Sequence, residues 1–395
     1  MGLAIVDLFV VASIPVVKVL LISAIGLFLA FERVDILGEH ARNHLNKILF
    51  YVFNPALMAG NLARTVTLES FLSLWFMPVN ILITFVIGSI LGWILVKVTK
   101  PPKHLKGLII GACSAGNMGN LPIILVPAMC KERSSPFGAP EVCEKYGLAY
   151  ASLSMAIGGV YLWLYVYNIV RISSTEAGLI PDSKDSNIDA EEPLLLTSVD
   201  QLSSSSKSGN SMSHRISRFF KGLSKKINLK AVFAPSTIGA IIGFAVGIIA
   251  PLRHLLIGTG ASLHVVGDSA NMLGDAAIPA LTLIVGANLL KGFKGSGIQL
   301  RIVMSIVAVR FIVLPVLGIF IVKGVVDLGL VPSDDKLLVF ILLLQYSMPP
   351  AMNIGTITQL FGAGQSECSV IMLWTYAVAS VAVTLWSTLF LWIVA

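Results

Sequence analysis

The sequence predicts an all-α integral membrane protein with ten transmembrane helices. They form two inverted five-helix repeats, with broken helices crossing at spans four and nine. Three observations carry that expectation. The chain is 56% hydrophobic and only 12% charged, with a mean hydropathy of +0.86, whereas a soluble domain carries about twice that charge fraction. Ten stretches reach the ~20 apolar residues that cross the hydrocarbon, near 8–30, 46–63, 72–96, 105–130, 146–172, 231–250, 265–290, 300–323, 337–361 and 369–394. Five precede a polar loop and five follow it; five is odd, so the halves enter the membrane from opposite sides. The domains expected are a first membrane repeat (1–172), a Ser-rich loop (173–230) and a second repeat (231–395).

The opening, "MGLAIVDLFVVASIPVVKVLL", lacks the basic n-region of a signal peptide and runs on too long. Val6 also breaks the myristoylation pattern after Gly2, so the first span is expected to stay. It carries Lys18, and intramembrane charge is functional by default. Lys18 could balance a substrate carboxylate or the C-terminal ends of broken helices. The second span contains "NPALMAGNL" from Asn54, the third ends "GWILVKV", and the fourth holds "SAGNMGNLP" at 114–122. Two Asn, two Gly and a Pro are poor helix material. Asn117 lies twelve residues past Leu105, or ~18 Å at 1.5 Å per residue, close to the midplane.

The second half answers the first. Pro235 of "VFAPSTIGAIIG" matches Pro15, "IPALTLIVGANL" from Ile278 matches the Asn54 segment, and "GIFIVKGV" matches "GWILVKV". Span nine, "LLVFILLLQYSMPPAMNIGTITQLFG", is interrupted by Pro349, Pro350 and Asn353. Paired broken helices in corresponding positions point to a transport site. Asp268 and Asp275, near the start of span seven, are candidates for proton coupling, or solvated helix-start carboxylates. Arg310, inside span eight, is expected to have a structural role, paired with a helix end or with Asp275.

Lys and Arg set the orientation. With the N-terminus outside, nineteen of the 28 fall on cytosolic segments, seven on the opposite side and two within spans. Both termini then lie outside or in a lumen, and the central loop is cytosolic. That loop contains "TSVDQLSSSSKSGNSMSH", whose composition is that of a disordered segment. It ends in "SHRISRFFKGLSKKINLK", spaced either for an amphipathic helix on an anionic leaflet or for a solvated linker. "EEPLLL" fits a short acidic dileucine pattern. Cys130 and Cys143 bracket one non-cytosolic loop, where a disulfide could form in an oxidising compartment. No metal-ligand spacing occurs, and neither a metal nor another cofactor is expected.

Unwound backbone at mid-membrane is tolerated only where protein buries it or water reaches it. Where two broken helices cross, half-helix N-termini converge, each with unpaired N–H groups and roughly half a positive charge. An anion can bind there. Asn117, Asn120 and Asn353 would donate amides, and Gly116 and Gly119 would let backbone approach the ligand. Pro122 opens the second half of span four, where a missing N–H does no harm. Pro349 and Pro350 would keep the partner helix open, and Asn54 completes the candidate set. An intramembrane protease is disfavoured: in "MLGD" Met272 stands where a first Gly belongs, and Asp268 and Asp275 share one helix. No enzyme is expected.

"FYVFNPALMAGNLA", "WFMPVN", "AGNMGNLPIILVPAMCKE" and "SMPPAMNIGTITQLF" resemble the plant PIN-LIKES proteins of the auxin efflux carrier superfamily. The resemblance covers nearly the whole chain. It implies a scaffold and a transport domain, transport of the auxin indole-3-acetate, residence in the endoplasmic reticulum and control of the auxin pool available to nuclear signalling. Similarity to the PIN carriers themselves is looser. Their P-N-T crossover has Gly116 before Asn117 here, Pro349 matches the start of their second crossover, and their N-P-N-T-Y appears as "APSTI". The expected partners are a small aromatic carboxylate, the bilayer and, as a candidate, a second copy of the chain; nucleic acid is not. The alternative is a cation-coupled, bile-acid-like organic-anion symporter of the same fold. The chain ends "LWIVA", without a retrieval signal.

Overall fold

A computed structural model describes residues 17–67, 74–131, 135–179, 234–258, 260–293 and 297–394. Among them, helices occupy each of the ten apolar stretches. α1 is Val17–Leu29. α2 (39–65) joins Glu39–Ile48, a π-turn at Leu49–Phe53 and Asn54–Thr65. α3 is Phe76–Thr99, α4 Lys106–Ser114 and α5 Asn120–Cys130. α6 is Pro140–Glu176 with a π-turn at Leu162–Val166. α7 (Pro235–Ile248) and α8 (Ala250–Leu256) meet at a bend of 102°; α9 is His264–Leu290 and α10 Leu300–Asp327. α11 is Lys336–Ser347, α12 Asn353–Leu360 and α13 Gln365–Val394.

By length and composition α3, α6, α9, α10 and α13 each suffice to cross a bilayer, and the bent pair α7–α8 would make a sixth. α3 shows why. It buries Met77, Ile81, Phe85 and Leu95, yet exposes Leu82, Val86, Ile90 and Trp93. A helix apolar on every face is stable only if hydrocarbon covers the outer one. The expected Ser-rich loop falls almost wholly on residues outside those described, although α6 continues to Glu176, beyond the expected end of span five.

Two packing arrangements organise the bundle. α1 lies against α9 where Gly26 meets the Leu283 backbone and Gly286 meets the Ser23 backbone. α7 lies against α2 where Gly239, Gly243 and Gly247 meet the backbones of Pro55, Ala59 and Val66. A Cβ at any of these positions would strike main chain, so the absent side chain is what lets the helices touch. The first helix of each half thus packs on the second helix of the other.

The remaining helices form the other half of the bundle. Gly88 of α3 sits on the Cys113–Ser114 backbone of α4, and Gly318 of α10 on the Tyr346 ring of α11. A buried polar junction ties α3, α6 and α11 together. Asn80 Nδ2 donates to Leu342 O (3.1 Å) and Gln345 Oε1 (2.8 Å), and Tyr346 Oη donates to Asn80 Oδ1 (3.1 Å). Gln345 Nε2 donates to Ser154 Oγ at 2.7 Å.

A proline follows the π-turn at Val309–Val313 in α10: Pro315 lacks the N–H that would bond Phe311 O. The Trp386 indole of α13 supplies the missing donor to Phe311 O at 2.7 Å. Pro55 stands in the same relation to the π-turn at Leu49–Phe53 in α2.

Candidate functional site: the crossing of two broken helices

Both interruptions read from the sequence are real breaks. α4 ends at Ser114 and α5 begins at Asn120; α11 ends at Ser347 and α12 begins at Asn353. The extended segments between them pair antiparallel, Gly116 opposite Pro350. Asn117 N donates to Pro349 O at 2.7 Å, and Ala351 N donates to Ala115 O at 2.9 Å. Each break thus satisfies part of the other's backbone, which a lone kink could not do. Asn353 opens α12 rather than interrupting span nine, and Pro122 falls in the first turn of α5.

A cavity of about 50 Å³ lies at the N-terminal ends of α5 and α12, lined by Asn54, Gly116, Asn117, Gly119, Ala351 and Asn353. Met58, Met118, Met155 and Met352 close around it. Ligand pockets run to roughly 300–1,000 Å³, so this state is contracted, and flexible thioethers are what fill it.

The amides are held differently. Asn117 Nδ2 donates to Tyr376 Oη at 2.7 Å, and Tyr376 Oη donates onward to Pro350 O at 3.1 Å. Tyr376 on α13 therefore braces both broken segments, a role the sequence did not disclose; its only signal was a single phenol in a long apolar helix. Asn54 is buried, and its Nδ2 has no partner. Asn353 is half-buried, and its Oδ1 has none; an amide flip would present its NH₂ group instead. Pro122, Pro349 and Pro350 are buried. The Asn120 side chain lies outside the described ones.

Both glycines line the cavity, and both also make room for side chains: a Cβ on Gly116 would come 2.8 Å from the Arg310 Nη2 atom, and one on Gly119 would strike Met155. Lys18 is exposed and does not line the cavity. Asp275 is exposed, and Asp268 pairs at the surface with Arg64 at 3.7 Å. The exposure of Asp268 and Asp275 agrees with solvated helix-start carboxylates, one of the two readings of these residues. Arg310 is fully buried; rather than meeting Asp275, its Nη1 donates to Cys113 O (3.3 Å) and Nη2 to Pro349 O (3.4 Å). Pairing with a helix end was one of the two expected partners; arrival at the crossing was not foreseen. Among the described residues, no carboxylate lines the cavity. Cys130 and Cys143 form a disulfide, with Cα atoms 5.5 Å apart.

Comparison with known proteins places the chain. The model of the membrane transport protein family matches residues 11–387. Protein PIN-LIKES 3 of Arabidopsis thaliana is 51% identical over 98% of this chain and 99% of its own length. Protein PIN-LIKES 1 of the same plant is 52% identical over all of this chain and 82% of its own length. Protein PIN-LIKES 6 remains 31% identical over 96% of this chain. The chain belongs to the auxin efflux carrier family of membrane transport proteins, among its PIN-LIKES members, and is a transporter rather than an enzyme.

Proposed function

We propose that the protein is a facilitator carrying the auxin indole-3-acetate across the endoplasmic reticulum membrane, so controlling the auxin pool available to nuclear signalling. One observation carries the reading. Two half-helix N-termini face one cavity lined by Asn54, whose Nδ2 is unpaired, by Asn353, whose Oδ1 is unpaired and which a flip of the amide would turn into a donor, and, among the described residues, by no carboxylate. Such a site suits an anion, and apolar Met walls suit an aromatic ring. Membership of the auxin efflux carrier family supports that substrate.

The architecture we infer is ten spans in two inverted repeats, 1–172 and 231–395, about the cytosolic loop 173–230. The reciprocal packing of α1 on α9 and α7 on α2 supports it, since a pseudo-two-fold axis exchanges those pairs. The Cys130–Cys143 disulfide supports the orientation, because the charge bias puts that loop and both termini on the lumenal side, where oxidation is permitted. Opening requires the bundle halves to part and the Met side chains to rotate. Asn117, Asn120, Asn54 and Asn353 then receive the carboxylate, while Gly116, Pro122, Pro349 and Pro350 shape the backbone. Lys18, Asp268 and Asp275 stand away from this step.

Uptake of labelled indole-3-acetate into proteoliposomes tests the reading. Saturable uptake without sodium, displaced by unlabelled indole acids, is expected. Absence of saturable uptake overturns it. Strict sodium dependence with preference for bile-acid-like anions would establish the symporter alternative.

A further inference from the structure

A guanidinium stands directly behind the crossing. Arg310 occupies the π-turn Val309–Val313 of α10 and is wholly enclosed. It donates to Cys113 O near the C-terminal end of α4 and to Pro349 O in the other extended segment. Its Nε has no partner, and none of its partners among the described residues is a carboxylate. Its Nη2 lies 2.8 Å from where a Cβ on Gly116 would stand, and Gly116 lines the cavity where an anion would sit.

A guanidinium does not lose its proton in a protein, and a buried charge is tolerated only when compensated. The C-terminal dipole of α4 returns roughly half a unit at most. The empty site therefore holds net positive charge that a carboxylate would cancel. We propose that Arg310 is the resident counter-charge of the transported carboxylate: the loaded site crosses the membrane field neutral, and voltage acts on the return of the empty site. This rests on the transport reading given above.

The two hydrogen bonds join Arg310 to both broken segments. Whichever part of the bundle moves, guanidinium and carboxylate stay on the same side of the moving boundary. The loaded passage moves minus one and plus one together, a sum of zero. The empty return moves plus one the other way. A full cycle still transfers one negative charge, so net uptake is electrogenic, but exchange of bound for bound substrate is not. Lys18 is not required for this balance.

The test compares net uptake of labelled indole-3-acetate with its exchange against internal unlabelled substrate, in proteoliposomes at imposed potentials. Net accumulation should respond by up to about fifty-fold per 100 mV, and wild-type exchange should not respond. Arg310→Gln should make exchange voltage-dependent, and Arg310→Lys should restore its insensitivity. Wild-type exchange as voltage-sensitive as net uptake overturns the charge assignment alone, and so does insensitive exchange in folded Arg310→Gln. Should Arg310→Gln fail to fold, the wild-type comparison decides. No saturable wild-type uptake overturns the transport reading and this inference together.

Discussion

Two buried polar regions meet on the same stretch of chain and differ in what they leave undone. At the junction of Asn80, Ser154, Gln345 and Tyr346, the Asn80 amide uses donor and acceptor alike, and Gln345 does the same. None of these side chains has a buried unpaired atom. At the crossing, Asn54 Nδ2, Asn353 Oδ1 and Arg310 Nε are all unpaired. A buried polar group without a partner is destabilising by ~1–3 kcal/mol. A complete network fixes helices; the incomplete one is where we propose that the carboxylate binds. Residue type alone does not show this difference, because both regions are built of Asn and backbone carbonyls.

The hardest blow to the crossing is a charge of the wrong sign. Asn117→Asp would place a carboxylate within the site, repelling the substrate and claiming the field of Arg310. Transport should be abolished while the protein still elutes as a folded species. Residual uptake above a tenth of wild type would show that the anion binds elsewhere.

The junction answers to a different measurement. Asn80→Ala strands the Tyr346 hydroxyl and one Gln345 acceptor, at ~1–3 kcal/mol for each group left unpaired. Thermal stability in detergent should fall markedly, and affinity per folded molecule should hold. A loss of affinity without a loss of stability would reverse the two assignments.

Asn54→Ala sharpens the contrast from the other side. Its Nδ2 bonds nothing in the empty state, so stability should be unchanged or slightly raised. Substrate affinity should drop by ~1.5–3 kcal/mol, the worth of a hydrogen bond to a charged group, or roughly ten- to a hundredfold. Asn353→Ala should behave alike. Binding isotherms beside melting curves check both. Unchanged affinity in both variants would remove the crossing as the site.

What could be read in advance follows from which forces are local. Helix positions were legible because hydrocarbon demands apolar length regardless of neighbours. The two breaks were legible because Gly, Pro and Asn oppose helix wherever they stand. Arg310 was seen as buried and structural, yet its destination depends on a π-turn and on backbone brought from two other helices. Spacing along one helix carries no trace of that. Tyr376 was missed for the same reason. Gly116 and Gly119 stood out as positions where space is needed, but that Arg310 and Met155 pack against them was not legible, since the sequence does not show which side chains arrive. Lys18 drew attention as a charge in a span, but the structure leaves it exposed and away from the cavity.

The smallest effect expected is that of the central loop. Residues 185–210 are Ser-rich and polar, with no apolar periodicity to fold against either half. Among the described residues, the partners that build the junction and the crossing come from the two membrane halves, before 180 or after 233. Deleting 185–210 leaves the ends of α6 and α7 joined by 32 residues, a flexible chain with a root-mean-square reach of ~30 Å at ~5–6 Å × √n. Transport rate and affinity in liposomes should both stay near wild type. In cells the deletion could still change where the protein resides, through the loss of "EEPLLL". Loss of transport by a folded deletion variant would mean that the loop reaches into the bundle. The crossing would then be completed by residues outside either repeat, and its unpaired amides would be waiting for chain rather than for substrate.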